Sequence, residues 1–167
     1  MSLSGFWWFL LIIILMLSPM SMLMPSARQK KLILLRDKAL ALGIKVTVLP
    51  NKVTENIVLE GAAYRWLRPA EAPPLASYLC LLKKQANRDQ GELVYPDWQL
   101  VSGKLAVLSK EQQAGLAEWL TQLPDDAFAV EWGSATLTFW WHERDINVGL
   151  NALNTSALAL LALTPKK

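Results

Sequence analysis

An uncharged apolar run near the N-terminus constrains this chain more than any other feature of its sequence. Residues 6–24 contain no charged side chain, and about 19 residues of helix would extend roughly 28 Å, close to the hydrocarbon thickness of a bilayer. The run therefore predicts one transmembrane helix. Its residues include Phe6, Trp7, Trp8, Leu11, Ile13, Leu15, Pro19 and Met24.

Basic side chains follow this run on one flank only. They are Arg28, Lys30, Lys31, Arg36 and Lys38. Because lysine and arginine beside a span favour the cytoplasmic side, they predict a single-pass protein of the bacterial inner membrane with its C-terminal domain in the cytoplasm. The same residues could also form the solvated face of the next helix. A cleaved signal peptide, the alternative, would need a basic segment before the run, and residues 1–5 carry no charged side chain.

The rest of the 167-residue chain has the length of one domain that can bury a core without disulfides or metals. We divide the chain into an anchor at 1–25, a basic juxtamembrane helix at 26–43 and a domain at 44–167. Cys80 is the single cysteine, so no internal disulfide can form. The net charge of +3 is small, and the basic residues cluster just after the apolar run. Both features argue against nucleic-acid binding.

Local patterns predict the elements of the domain. Ser26 can cap a helix that ends at Leu42 and Gly43, and alternation over residues 44–49 predicts a strand. Residues 109–112 have the form of a capping box, before a helix that Pro124 ends. Phe128 to Trp132 and Leu137 to Trp141 alternate about Gly133-Ser134, as in a tight β-hairpin. Pro96-Asp97 divides two further strand pieces.

The predicted fold class is α+β, with an antiparallel sheet and about three helices after the transmembrane helix. The last segment, from Leu150 to Leu163, can form one helix or two, and its apolar second half fits the core or the membrane interface. The order of strands within residues 53–107 stays open.

Few side chains are candidates for chemistry. His142 is the single histidine, so it cannot form a metal site alone, although it could act as a base or pair with Cys80. Acidic pairs at Asp125-Asp126 and at Glu143 with Asp145 have the sequence context of turns and caps. No phosphate loop, nucleophile elbow or cysteine pair of metal spacing is present. We predict no catalytic residue, no cofactor and no metal.

Trp140 and Trp141 lie on opposite faces of one predicted strand. One of them therefore faces away from the main core, and Trp140 with the neighbouring His142 is a possible partner surface. The alternative is that a second helix packs on Trp140.

The order of a span, a proline and a basic helix, in Met24-Pro25-Ser26-Ala27-Arg28-Gln29-Lys30-Lys31, resembles the small YajC-type accessory subunits of the bacterial Sec translocase. The resemblance covers about 45 residues, and the glycine-containing β motif of that family is not visible after Gly43. It implies a bacterial inner-membrane accessory protein with a cytoplasmic domain.

We therefore expect an accessory or scaffold protein, whose partners are the lipid bilayer and another inner-membrane or membrane-associated protein. The rival is a membrane-anchored enzyme or ligand-binding domain with a pocket near His142. These two functions differ in whether His142, Glu143 and Arg144 converge on one cavity.

Overall fold

The computed structural model describes residues 6–8, 13, 26–54, 57–72, 74–75, 77–84 and 91–163. The chain divides into two compact units, Met1–Leu34 and Leu35–Lys167. Besides the helical residues 6–8 and 13, the described helices are α1 (Ala27–Ala41), α2 (Lys110–Thr121) and α3 (Leu150–Ala162), with a 3-10 turn at Leu105–Val107. The strands are β1 (Lys45–Thr47), β2 (Asn51–Thr54), β3 (Ile57–Leu59), β4 (Ala62–Leu67), β5 (Leu79–Lys83), β6 (Glu92–Tyr95), β7 (Trp98–Ser102), β8 (Ala127–Trp132) and β9 (Thr136–Trp141).

Within the described residues, no helix combines the length and the apolar composition that crossing a membrane requires. The longest of these helices, α1, has 15 residues and carries basic side chains along its length. This finding contradicts the predicted transmembrane helix and, with it, the single-pass inner-membrane localisation. Phe6, Trp7, Trp8 and Ile13 are helical and exposed, whereas Leu11, Leu15, Pro19 and Met24 lie outside the described residues.

The chain is α+β, with a seven-stranded antiparallel sheet. Its strand order is β1-β4-β9-β8-β5-β7-β6, and β2 pairs with β3 in a separate two-stranded sheet. The predicted hairpin about Gly133-Ser134 forms β8 and β9 at the centre of the large sheet. Tyr95 pairs with Trp98 across Pro96-Asp97, where Asp97 has a φ of 63°, as the third position of a type II turn requires.

The end of α1 explains how the chain enters the sheet. Gly43 has a φ of 80°, which glycine adopts without a steric penalty. The Gly43 N–H donates to Leu40 O, and the Ile44 N–H donates to Ala39 O, both at 2.9 Å. These are the two bonds of a Schellman motif. Ile44 and Ala39 are both fully buried, so the motif directs Ile44 into the core and starts β1.

Aromatic side chains fill the core between one face of the sheet and helices α2 and α3. The ring of Trp66 lies 5.8 Å from that of Trp119, edge to face, and 5.8 Å from that of Phe139. Trp66 Nε1 donates to Asn154 Oδ1 on α3 at 2.9 Å. Trp141 belongs to the same core and is 0% exposed. The sheet and both helices thus share one apolar core.

The opposite face of the sheet has a second, smaller core under the β2–β3 hairpin. Leu59 of β3 packs there with Ala63, Ala129 and Trp140, all of them buried. In the sheet register Ala63 lies opposite Trp140, and Trp140 lies opposite Ala129. The hairpin therefore covers an apolar row that crosses three central strands.

Candidate functional site

Glu143 follows β9 and turns its side chain into the protein. It has a φ of 53°, a conformation that residues other than glycine rarely adopt, and it is 5% exposed. Its carboxylate accepts hydrogen bonds from Arg36 Nε and Tyr64 Oη, each at 2.9 Å, and a further one from Arg36 Nη2. The carboxylate thus joins α1, β4 and the loop after β9.

The pKa values of its two partners follow from this contact. The hydrogen bond to Glu143 is the largest effect on Arg36, and it raises the pKa of that guanidinium above its ordinary value. Burial, followed by the charge of Glu143, raises the pKa of the Tyr64 phenol above its ordinary 10.0. Both groups therefore stay protonated as donors at neutral pH.

The neighbours of Glu143 have different surroundings. His142 is exposed, and its ring stacks on Phe128 with the two centroids 4.6 Å apart. Arg144 is also exposed, and its backbone N–H donates to Asp126 Oδ2 at 2.7 Å. His142, Glu143 and Arg144 are successive in sequence, yet Glu143 is buried while His142 and Arg144 are exposed.

A second buried carboxylate, that of Glu131, lies on the sheet face that the β2–β3 hairpin covers. Its Oε1 accepts hydrogen bonds from Asn51 Nδ2 at 3.0 Å and from Tyr78 Oη at 2.5 Å. Its Oε2 accepts one from Trp140 Nε1 at 2.5 Å. Glu131 is 7% exposed, and a buried carboxylate needs hydrogen-bond donors. Three donors from separate parts of the chain meet this need.

Cys80 lies opposite Glu131 in the register of β5 and β8 and is fully buried. Burial, followed by the charge of Glu131, raises the pKa of its thiol to about 12. The pKa of Tyr78 is also raised above 10.0, mainly by burial and then by its hydrogen bond to Glu131. Because the thiolate is the nucleophilic form of cysteine, this thiol is poorly suited to catalysis at neutral pH.

Trp140 and His142, the two residues of the predicted partner surface, have different environments. Trp140 is 1% exposed, so the expectation of an exposed aromatic anchor at this position is wrong. The reason is the β2–β3 hairpin, which supplies Leu59 as cover and Asn51 to the same carboxylate that Trp140 contacts. His142 is exposed, and its role in partner binding stays a prediction.

The basic side chains of α1 also have separate surroundings. Arg28, Lys30, Lys31 and Lys38 are exposed, whereas Arg36 is half-buried in its ion pair with Glu143. Arg36 therefore has a packing role that its place in a basic flank does not suggest.

Grooves in the described part of the chain lie away from these carboxylates, among them one of about 470 Å³ beside the first turn of α2, lined by Leu108 and Lys110 among others. Two more lie elsewhere. One, of about 270 Å³, separates α2 from α3 and is lined by Gly115, Trp119, Ser156 and Leu160 among others. The other, of about 210 Å³, lies beside the β6–β7 turn, where Lys83 Nζ donates to Asp125 O at 2.8 Å. Among the residues that the structure describes, no group of three or more histidine, cysteine, aspartate or glutamate side chains could hold a metal ion.

Sequence reasoning missed Glu131 and its donors. One signal was available, because Glu131 is a charged residue between Val130 and Trp132 in an otherwise apolar strand. Such a position predicts a buried carboxylate that needs donors. Nothing in the sequence indicates that these donors are Asn51 and Tyr78.

No family model, curated protein or solved structure matches this chain. The resemblance of residues 24–31 to YajC-type subunits stays a prediction, and no residue role is taken from it.

Proposed function

We propose that the protein is a non-catalytic interaction domain that binds another protein. One observation carries the proposal, namely that His142, Glu143 and Arg144 have separate surroundings. Glu143 is buried and bound to Arg36, while His142 is exposed and stacked on Phe128. A catalytic pocket near His142 would need these groups to face one reacting atom.

The geometry of Cys80 also supports a non-catalytic role. Its cross-strand neighbour is Glu131, which in turn pairs with Thr138 of β9. His142 is four residues beyond Thr138, a distance of about 13 Å along an extended chain. A nucleophile and its base must lie within hydrogen-bond reach, so Cys80 and His142 are poorly placed to act together.

Exposed apolar side chains offer contacts for a partner. Among the described residues of the domain the most exposed large apolar side chain is that of Leu49, at 71%, and Leu93 on the edge strand β6 is 55% exposed. Isolated exposed apolar side chains are common on protein surfaces, so Leu49 and Leu93 are candidate contact positions for a partner.

Photo-crosslinking in the producing cell tests the proposal. A photoreactive residue replaces Leu49, Leu93 or His142 in turn, and Ala152, which is exposed on α3, serves as the control position. We expect one discrete protein adduct from at least one of the three positions and none from Ala152. No protein adduct from any of them, together with a small molecule that copurifies and is released on unfolding, would favour the enzyme or ligand-binding alternative.

A further inference from the structure

The outer edge of β1 is unpaired among the described strands. β1 is the first strand of the large sheet and pairs with β4 on its inner side. The outer edge of such a strand presents backbone N–H and C=O groups that can pair with another chain. The side chains around this edge decide which chain could add there.

Lys45 places a cationic side chain on this edge strand, and a second cation, Arg65, lies opposite it on the inner strand β4. The register of β1 and β4 pairs Lys45 with Arg65, and like charges in this position are unfavourable. Arg65 is half-buried, and its Nε donates to Thr138 Oγ1 at 3.2 Å. Within the described part of the chain neither cation has an acidic partner, since the ion pair found there joins Arg36 to Glu143.

The other face of the same strand is apolar. Val46 is half-buried against the main core, and Val48, which follows the last residue of β1, is 56% exposed. Successive side chains of a strand alternate between faces. A strand added to β1 would therefore meet positive charge on one face and valine side chains on the other.

We propose that the outer edge of β1 binds an extended segment of a partner protein in which acidic and apolar side chains alternate. The inference rests on the proposed interaction function, and it names the outer edge of β1 as the surface that binds the partner. Backbone hydrogen bonds would supply affinity, and alternate side chains would supply specificity, as in other cases of strand addition. The acidic side chains would face Lys45, and the apolar ones would lie beside Val46 and, past the end of β1, beside Val48.

A peptide-binding experiment on the purified full-length chain tests this inference. The probe is a fluorescent peptide of about six residues, an ordinary strand length, that alternates glutamate and valine. We expect saturable binding, with amide chemical-shift changes in β1 and β4. A lysine–valine peptide, and a glutamate–valine peptide with methylated backbone nitrogens, should bind more weakly.

Charge reversal on the edge gives the decisive comparison. Lys45→Glu should weaken binding about fivefold, which corresponds to about 1 kcal/mol for an exposed ion pair. The matched control is Lys104→Glu, which changes an exposed residue after β7, far from β1 in the strand order, and it should leave binding unchanged. Thermal melts of both variants check that each is folded.

Three results would overturn the inference: no binding of the glutamate–valine peptide, shift changes confined to other strands, or equal binding by Lys45→Glu. Absence of binding would fit a lysine that protects a short edge strand against pairing, shift changes elsewhere would mean a different binding site, and equal binding would mean that Lys45 plays no part. The proposed function fails separately, because a partner crosslinked through Leu93 or His142 would still support it.

Discussion

Arg36 and Glu143 form an ion pair that joins α1 to the loop after β9. The two side chains differ in exposure, at 37% for Arg36 and 7% for Glu143. An arginine that loses its partner here can turn toward water, whereas Glu143 would keep a buried negative charge without this cation. Removing Arg36 and removing Glu143 should therefore lower the free energy of unfolding by different amounts.

We expect Arg36→Gln to lower the free energy of unfolding by about 3 kcal/mol, because it leaves the Glu143 carboxylate buried without its cation. Glu143→Gln should cost less, about 1 kcal/mol, since the exposed part of Arg36 is screened by solvent. Urea unfolding measures both values. Glu92→Gln, at an exposed position of β6, is the control and should change stability by less than about 0.5 kcal/mol. Equal losses for the two variants would contradict this asymmetry.

The tryptophans of β9 provide a second prediction, because both are buried but in different cores. Trp140→Ala and Trp141→Ala should each lower the free energy of unfolding by about 3–5 kcal/mol. The phenylalanine variants should differ: Trp140→Phe removes the donor to Glu131, whereas Trp141 Nε1 has no hydrogen-bond partner among the described residues.

We therefore expect Trp140→Phe to cost about 1 kcal/mol more than Trp141→Phe, as measured by urea unfolding. A near-native stability of Trp140→Ala would mean that the β2–β3 hairpin does not hold this side chain in place.

Much of the local structure could be predicted from the sequence, because short-range interactions determine it. Gly43 ends α1 through bonds that span a few residues, and the tight turn from Gly133 to Thr136, closed by the Gly133 N–H donating to Thr136 O, fixes the pairing of β8 with β9. Alternation also placed Trp140 and Trp141 on opposite faces of the sheet, as observed. In each case a single stretch of sequence contains all the groups that decide the outcome.

The long-range arrangement could not be predicted in this way. Arg36 and Glu143 are 107 positions apart, and Asn51 and Glu131 are 80 apart, so no periodic pattern connects them. Alternation indicated that Trp140 faces away from the main core, but not that the β2–β3 hairpin covers that face. The membrane prediction used hydropathy alone, and no described helix fits it.

The N-terminus of α2 provides a third prediction. The hydroxyl of Ser109 accepts a hydrogen bond from the backbone N–H of Gln112 at 3.2 Å, and the Gln112 side chain accepts one from the Ser109 N–H at 3.0 Å. Ser109→Ala removes one half of this capping box and should lower the free energy of unfolding by about 1 kcal/mol. Ser134→Ala, at an exposed turn position, serves as the control in the same urea titration. A loss no greater than that of the control would mean that the cap does not stabilise α2.

The fourth prediction concerns alkaline pH and the buried thiol. Burial raises the pKa of Cys80 from 9.0 to about 12, and that of Tyr95 from 10.0 to about 12. Well below pH 9 both groups are protonated in the folded and the unfolded chain. Between about pH 9 and pH 12 the unfolded chain releases these protons while the folded chain retains them, so the free energy of unfolding should fall as pH rises, by up to about 1.4 kcal/mol per pH unit for each group. Cys80→Ala and Cys80→Ser both remove the thiol, and urea unfolding at several pH values should show the same reduced slope for both, whatever their stability at pH 7. An unchanged slope would show that the thiol ionises as readily in the folded chain as in the unfolded one.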